Sequence, residues 1–234
     1  MTPIMPDNSA RDGRVGWAAM KLLHTLLERD PSSPRLTVYN EATGARMDFS
    51  AQTLDNWACK IANMLEEELE LAPGDTIVID VPVSWQAAVI ALGAVAARVN
   101  YEFTDDTELS PEVTFASLER ASEHSGDVVV VNDDPFGRGV TETGGELPAG
   151  ALDFGPTVRF YGDQYMGDAP ALEEVVPIPQ EHRLLSTGWV DNATFSDAVL
   201  APLAGGGSAV VVAGLTEAER LDVIADNEKV TSRL

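Results

Sequence analysis

The segment WQAAVIALGAVAA, Trp85 to Ala97, restricts this chain more than any other. It is apolar nearly all round the helical wheel, and a helix without a polar face has to be buried on every side. Ser84 stands where it caps the first turn. Thr76 to Val81 before the helix and Val99 to Phe103 after it read as strands. A buried helix between two strands is a βαβ unit, and such units build parallel sheets. The expected class is therefore α/β: a three-layer, mostly parallel sheet with helices on both faces.

The rest of the pattern agrees. A helix is expected from Asp12 or Gly13 to about Glu28, with Val15, Ala18, Ala19, Leu22, Leu23, Leu26 and Leu27 at helical spacing and Pro31 and Pro34 ending it. Leu36 to Tyr39 and Ala45 to Phe49 form a hairpin across Asn40 to Gly44. Ser50 caps a helix whose stripe is Leu54, Trp57, Ala58, Ile61, Ala62, Leu65 and Leu69, stopped by Pro73-Gly74-Asp75. Ser110-Pro111-Glu112 reads as a helix start. That helix would run to about His124, before Ser125-Gly126 and a buried-type strand at Val128 to Val131. From Asn132 to Pro179 only Thr157 to Tyr161 reads as a strand. Then come a strand at Arg183 to Ser186, a helix at Ala193 to Leu203 and a strand at Ser208 to Val212. Thr216 and Glu219 make a capping box for a helix to about Asn227, and Lys229 to Thr231 begins a last strand.

Charge excludes some functions. Lys+Arg is 15 against Asp+Glu 38, a formal net charge of -23. A general nucleic-acid binder needs a basic face, and an anionic bilayer repels such a chain. The polar stretch Met1 to Arg14 lacks a signal-peptide core, and the most apolar run is too short to span a bilayer. With Cys59 as the lone cysteine there is no disulfide and no CxxC site. A cytoplasmic protein is expected, with no nucleic-acid and no membrane partner.

Few residues suggest chemistry. His24, His124 and His182 stand apart, so a zinc site is not expected. Asp105-Asp106 and Asp133-Asp134 follow strands and are candidates for magnesium or for acid–base work. Glu66, Glu67, Glu68 and Glu70 read as a solvated helix face. Gly205-Gly206-Gly207-Ser208 follows a helix and precedes a strand, the reverse of a phosphate cradle, so it reads as a helix stop and turn. Cys59 lies on an apolar stripe and reads as a small buried hydrophobe.

Four consecutive segments carry a resemblance: LTVYNEATGARMDFSAQTL, DNWACKIANML, ELELAPGDTIVIDVPVSW and QAAVIALGAVAARVNYEF. A hairpin, a helix of the form L...A..LA..L, a G...GD.V strand and a buried helix ending in small residues resemble the opening of the adenylate-forming superfamily. Its members are acyl-CoA synthetases, luciferases and peptide-synthetase adenylation domains. Pro111 to His124 would match the family's next helix and Gly126 to Val131 its strand. FSDAVLAPLAGGGSAVVV and EAERLDVIADNEKVTSRL resemble later segments. The resemblance covers about two-thirds of the chain. It implies one domain, 1–234, with 35–131 and 181–234 matching and 132–180 irregular. In length and in where it stops, the chain is also similar to a family of short actinobacterial proteins of this type.

The family holds ATP phosphates in a Ser/Thr/Gly-rich loop ending in Pro-Lys-Gly. Here TETGGELPAG keeps Thr141, Pro148 and Gly150 in spacing, with Ala149 in place of the lysine and Glu146 in the middle. Thr141, Thr143, Gly144, Gly145 and Gly150 are then the remnant of a nucleotide-binding loop. Lys21, Lys60 and Lys229 match no catalytic lysine of the family, and its adenine strand, ribose aspartate and mobile lobe would follow Leu234. The expectation is a degenerate, non-catalytic relative with a binding or docking role and a protein partner or second copy, since a half-lobe exposes an unpaired edge. No cofactor and no metal are expected; Mg-ATP or AMP is the ligand that a surviving loop would take. An alternative is a nucleotide- or acyl-binding subunit of an AMP-forming acid ligase completed in trans. A third reading is an unrelated α/β enzyme using the acidic pairs.

Overall fold

The computed structural model describes residues 22–234. In chain order the elements are α1 (His24–Arg29), β1 (Pro34–Asn40), β2 (Ala45–Ser50), α2 (Ala51–Glu67), β3 (Thr76–Asp80), α3 (Trp85–Ala97), β4 (Asn100–Phe103), β5 (Val113–Ser117) and β6 (Asp127–Val131). They continue with β7 (Leu152–Asp153), α4 (Phe154–Phe160), α5 (Leu172–Val175), β8 (Arg183–Ser186), α6 (Asn192–Phe195), α7 (Ala201–Ala204), β9 (Ser208–Ala213), α8 (Ala218–Glu228) and β10 (Ser232–Arg233). A single wide turn, Ser196–Leu200, joins α6 to α7. Most of the helix expected before Glu28, and Lys21, lie outside the described residues; α1 is its end.

The α/β class holds, and the strands divide into two five-stranded sheets. One has the order β10-β8-β9-β1-β2, parallel except for the β1–β2 hairpin. The other, β4-β3-β5-β6-β7, is parallel throughout. Strand alternation allots the side chains. Leu36 and Val38 of β1, Ile77 and Ile79 of β3 and Val129 and Val131 of β6 join one core with α2 and α3. Their neighbours face outward: Tyr39, Val210 and Val212 pack against Ile224 of α8, and Ala116, Val128 and Val130 against Val140. α3 is buried almost throughout, as its composition demands. At Gly93 a Cβ would lie 2.3 Å from Ile61 Cγ2, so this glycine lets α2 and α3 touch. Both predicted serine caps form: Ser50 Oγ accepts from Thr53 N and Ser84 Oγ from Ala87 N, each at 3.2 Å.

Three expectations are overturned. The helix over Pro111 to His124 is instead β5, followed by one tight turn at Ala121–Glu123. VTFAS is buried at every position between β3 and β6, and the burial of a central strand outweighs a local cap signal. The strand over Thr157 to Tyr161 is helix α4, with Pro156 in its first turn and Phe154 and Val158 buried four residues apart. The Thr216/Glu219 box does not form: α8 starts after Glu217 with no side-chain cap.

Asp55 on α2 is 8% exposed, and its Oδ1 has no hydrogen-bond partner. Burial pushes its carboxyl up to about 6. Its folded value exceeds the unfolded one, so the charged group costs stability above pH 6, and that cost fades as pH falls toward 4. Asp55→Asn is expected to raise stability at pH 7 by roughly 1–2 kcal/mol and to lose that advantage near pH 4. Urea titrations of both proteins at the two pH values check this.

Candidate functional site

In the all-parallel sheet β3, β4, β5 and β6 end along one edge, and open parallel sheets place ligands in crevices at their carboxyl ends. The β3–α3 loop, residues 81–84, stands at this edge with clefts around it. One, of about 490 Å³, is bordered by Asp80, Phe103, Asp105, Trp189 and Val190. Another, of about 260 Å³, is bordered by Ser117, Glu119, Val131 and Asp133. The two share Val81 and Pro82, so they lie side by side around this loop, a divided groove. A crevice of about 20 Å³ beneath the hairpin, beside Trp85 and Asp133, has room for about one water.

A polar clamp holds the groove in shape. Asp80, at the end of β3, accepts from Arg120 Nε at 2.5 Å and lies 2.8 Å from Nε2 of the buried His124. Arg120 also donates to the Asp105 carbonyl at 2.9 Å and meets Glu123 at 3.0 Å. One guanidinium thus ties together the loops after β3, β4 and β5. Sequence reasoning missed Asp80, Arg120 and His124 as a unit. The one local signal was an acid closing the apolar run TIVID; partners 40 and 44 residues away carry no periodicity.

The acidic pairs do not come together as acid and base. Asp134 is spent on its own turn, accepting from Phe136 N at 2.9 Å and Arg138 Nη2 at 2.7 Å. The Arg138 guanidinium holds its carboxyl below the usual range. Asp106 accepts from Glu108 N at 3.0 Å within an exposed loop. Asp133 accepts from Asn40 Nδ2 at 3.0 Å, linking the hairpin to the second sheet. Burial pushes the Asp133 carboxyl up against that bond, and the charges of Asp134 and Glu119 add to the rise. Among the described residues no three His, Cys, Asp or Glu side chains lie close enough to hold a metal ion.

The loop matched to the family's phosphate cradle falls into two places. Thr141, Thr143, Gly144 and Gly145 share one tight turn beyond the carboxyl end of β6. Gly150 lies at the opposite end of that strand, beside Asp127. In the turn, Val140 N donates to Asp153 Oδ1 at 3.0 Å and Thr141 N to Asp153 Oδ2 at 3.2 Å. Gly139 N donates to Glu142 Oε2 at 2.7 Å. Arg159, 2.6 Å from both Glu142 oxygens, holds that carboxyl below its usual range. Thr141 Oγ1 donates to Asp153, and Thr143 Oγ1 bonds the carbonyls of Gly139 and Val140. Carboxylates of the chain thus occupy the N–H groups of residues 139–141.

The other singled-out residues are structural. Cys59 is buried, and burial followed by the Asp55 charge pushes its thiol up to about 12, so it is no nucleophile at neutral pH. Lys60 donates to the Tyr161 carbonyl at 2.7 Å, and Lys229 ends α8 in a left-handed conformation. The glutamate-rich end of α2 is exposed, yet Glu68 accepts from Tyr161 and Glu66 from Tyr165, fastening the segment after α4. His24 and His182 are exposed, with His24 3.3 Å from Glu28. Gly205 ends α7 and Ser208 opens β9, as a helix stop should.

No protein-family model matches the chain. Its fold is that of the first part of the adenylate-forming enzymes. An acyl-CoA synthetase of Brucella canis superposes with a TM-score of 0.69 at 15% identity, over 92% of this chain and 47% of that one. A benzoate CoA ligase of Burkholderia xenovorans LB400 gives 0.63 at 14% identity, over 90% and 48%. The nonribosomal peptide synthetase FmoA3 gives 0.55 at 18%, over 92% and 25%. The chain thus spans half or less of the length of these enzymes, and the likeness concerns fold. Sequence relationship is much closer to a protein of Mycobacterium tuberculosis strain H37Rv described as a TIGR03089 family protein. The two are 33% identical over 240 residues, 90% of this chain and 95% of that protein, and on that match the chain belongs to the TIGR03089 family.

Proposed function

We propose that this chain is a non-catalytic relative of the adenylate-forming enzymes, a binding module whose ligand site is the groove around residues 81–84. The observation that carries the reading is the closed turn at Thr141 to Gly145. Adenylyl transfer consists mostly of orienting a triphosphate and stabilising its developing charge. In this turn the N–H donors of residues 139–141 face Asp153 and Glu142, and Ala149 stands where the family places its lysine. A phosphate there would have to displace two carboxylates, and the guanidinium at hand, Arg159, is already paired with Glu142. The groove is open, and its shape is held by the Arg120 clamp.

Thermal unfolding with millimolar Mg-ATP, and separately with AMP, tests the proposal. No shift is expected. A nucleotide bound at ~100-fold above its dissociation constant would add roughly 2.7 kcal/mol, or about 5–11 °C for a domain this size. A shift of that size would sink the non-catalytic reading and favour a nucleotide-binding subunit.

The reading includes a partner. β2, on the rim of its sheet, leaves one side of its backbone unpaired. The rim strand β4 is blunted, because Asn192 donates to Tyr101 O at 2.7 Å and accepts from Phe103 N at 2.9 Å. Light scattering at micromolar concentration should give a dimer or larger; a monomer would count against self-association.

A further inference from the structure

We infer that the crevice beneath the hairpin, between β1–β2 and the β3–α3 loop, binds the hydroxyl end of a small neutral alcohol. The crevice adjoins both clefts of the groove, sharing Val83 with the larger and Ser84 and Asp133 with the smaller. This rests on the proposal that the groove is the ligand site, and names the chemistry of its inner end.

A buried donor points to the ligand. Trp85 borders the crevice and is 4% exposed, and Nε1, its one polar side-chain atom, has no hydrogen-bond partner among the described residues. Phe49 and Trp57 hold the indole in place, with ring centroids 5.1 and 4.9 Å away. The edge that carries Nε1 and Cζ2 is turned to the loop 133–137, since a Cβ on Gly137 would lie 3.2 Å from Cζ2. Asp133 and Pro135 of that loop border the crevice. A buried polar group is normally satisfied, and an acceptor seated against this loop satisfies the indole.

The other polar groups decide which acceptor. Asn40 Oδ1 accepts from Ala42 N at 3.0 Å and Thr43 N at 3.2 Å, while its Nδ2 donates to Asp133 Oδ2. Ser84 Oγ accepts from Ala87 N at 3.2 Å and Thr43 Oγ1 from Ala45 N at 3.3 Å. Among the described residues the groups of this wall left without a partner are one donor, Trp85 Nε1, and one acceptor, Asp133 Oδ1. A hydroxyl accepts from the first and donates to the second. A carboxylate would meet the Asp133 charge, and an ammonium offers the indole N–H no acceptor. The volume, about 20 Å³, admits one oxygen of this kind. Val38, Ala45, Met47, Val83 and Pro135 give a short alkyl chain an apolar wall.

Proton–nitrogen correlation spectra of the full chain test the inference, because its four tryptophans give separate indole signals that sequential connectivity assigns. Titration with 1-butanol should shift the Trp85 indole signal saturably, with a dissociation constant on the order of 1–10 mM. Butyrate and butylammonium, equal in chain length, should not shift it. Asp133→Ala, on an exposed loop, should weaken butanol binding roughly fivefold or more. Equal shifts with all three probes would reduce the effect to apolar contact and overturn the inference, as would unchanged affinity in Asp133→Ala. An indole N–H that cross-relaxes with water and ignores butanol would reveal a hydration site only and overturn it too. Each of these failures leaves the nucleotide result as it was, whereas a thermal shift with Mg-ATP sinks the non-catalytic reading alone.

Discussion

Replacing Glu228 with alanine is expected to destabilise the protein by about 3–5 kcal/mol, the usual cost of leaving a buried pair without its partner. Glu228 ends α8 and is 8% exposed at its side chain. It accepts from Tyr39 at 2.6 Å, Arg46 at 2.8 Å and Arg183 at 2.5 Å, while Arg183 reaches on to Thr37 at 3.1 Å. One carboxylate thus binds the last long helix to β1, β2 and β8. Burial pushes its carboxyl up, and Arg46, Tyr39 and Arg183 together outweigh burial and hold it down at about 2. The sign follows directly. The folded value lies below the unfolded one, so this stability is complete above about pH 4.5 and is lost as pH falls toward 2. It amounts to about 3 kcal/mol at neutral pH. Glu228→Gln should therefore differ most from the parent at neutral pH and converge with it near pH 2. Urea unfolding across that range checks this, and a constant difference between the two proteins at every pH would refute it.

Gly207→Ala is the second large effect, expected at about 3 kcal/mol and a fall of roughly 6–12 °C in unfolding midpoint. A Cβ on Gly207 would stand 2.1 Å from the His182 carbonyl oxygen and 2.7 Å from its nitrogen. These are backbone atoms that cannot rotate away. The same carbonyl accepts from Ser208 N at 2.8 Å, where β8 and β9 begin to pair. Gly205 is equally confined, its Cβ position lying 2.3 Å from the Gln180 backbone. Gly44 is the natural control: its φ is +72 and nothing lies within 4 Å, so alanine there should cost about 1 kcal/mol of backbone strain. Calorimetric melting of the two variants separates crowding from strain. Equal shifts would refute the crowding argument.

These two sites show how far local patterns reach. The triple glycine is legible as a helix stop, since it follows one periodic run and precedes another. That two of its members make way for residues 180–182 is a fact about a loop some 25 residues away, so no local rule contains it. Glu228 looks like one more acid in an acidic chain. Its importance comes from Tyr39, Arg46 and Arg183, three residues that only folding gathers.

The candidate site divides in the same way. Its location was foreseeable in outline, because parallel strands with helical crossovers put their carboxyl ends along one edge. Asp105 and Asp133 were picked out there for that reason, yet they do not act as a pair. The loop Thr141 to Gly150 was legible as a departure from the family's motif. That Asp153 and Glu142 close it depended on β7 pairing beside β6 and on α4 bringing Arg159 up to Glu142.

What the amino-acid order determined by itself was the α/β class, the buried α3, the β1–β2 hairpin and the serine caps of α2 and α3. All of these rest on interactions within a few residues or on composition that forces burial. Tertiary structure alone decided that the strands form two sheets, that Val113–Ser117 is a strand although Ser110-Pro111-Glu112 resembles a helix start, and that Phe154–Phe160 is a helix. It also built the Asp80–Arg120–His124 clamp and brought Asp105, Glu119 and Asp133 to one edge of the second sheet. The physical reason is common to all of them. A short segment has near-equal local preferences, and the free energy that chooses among them comes from partners distant in sequence: a flanking strand, a facing carboxylate or a backbone with room for nothing larger than hydrogen.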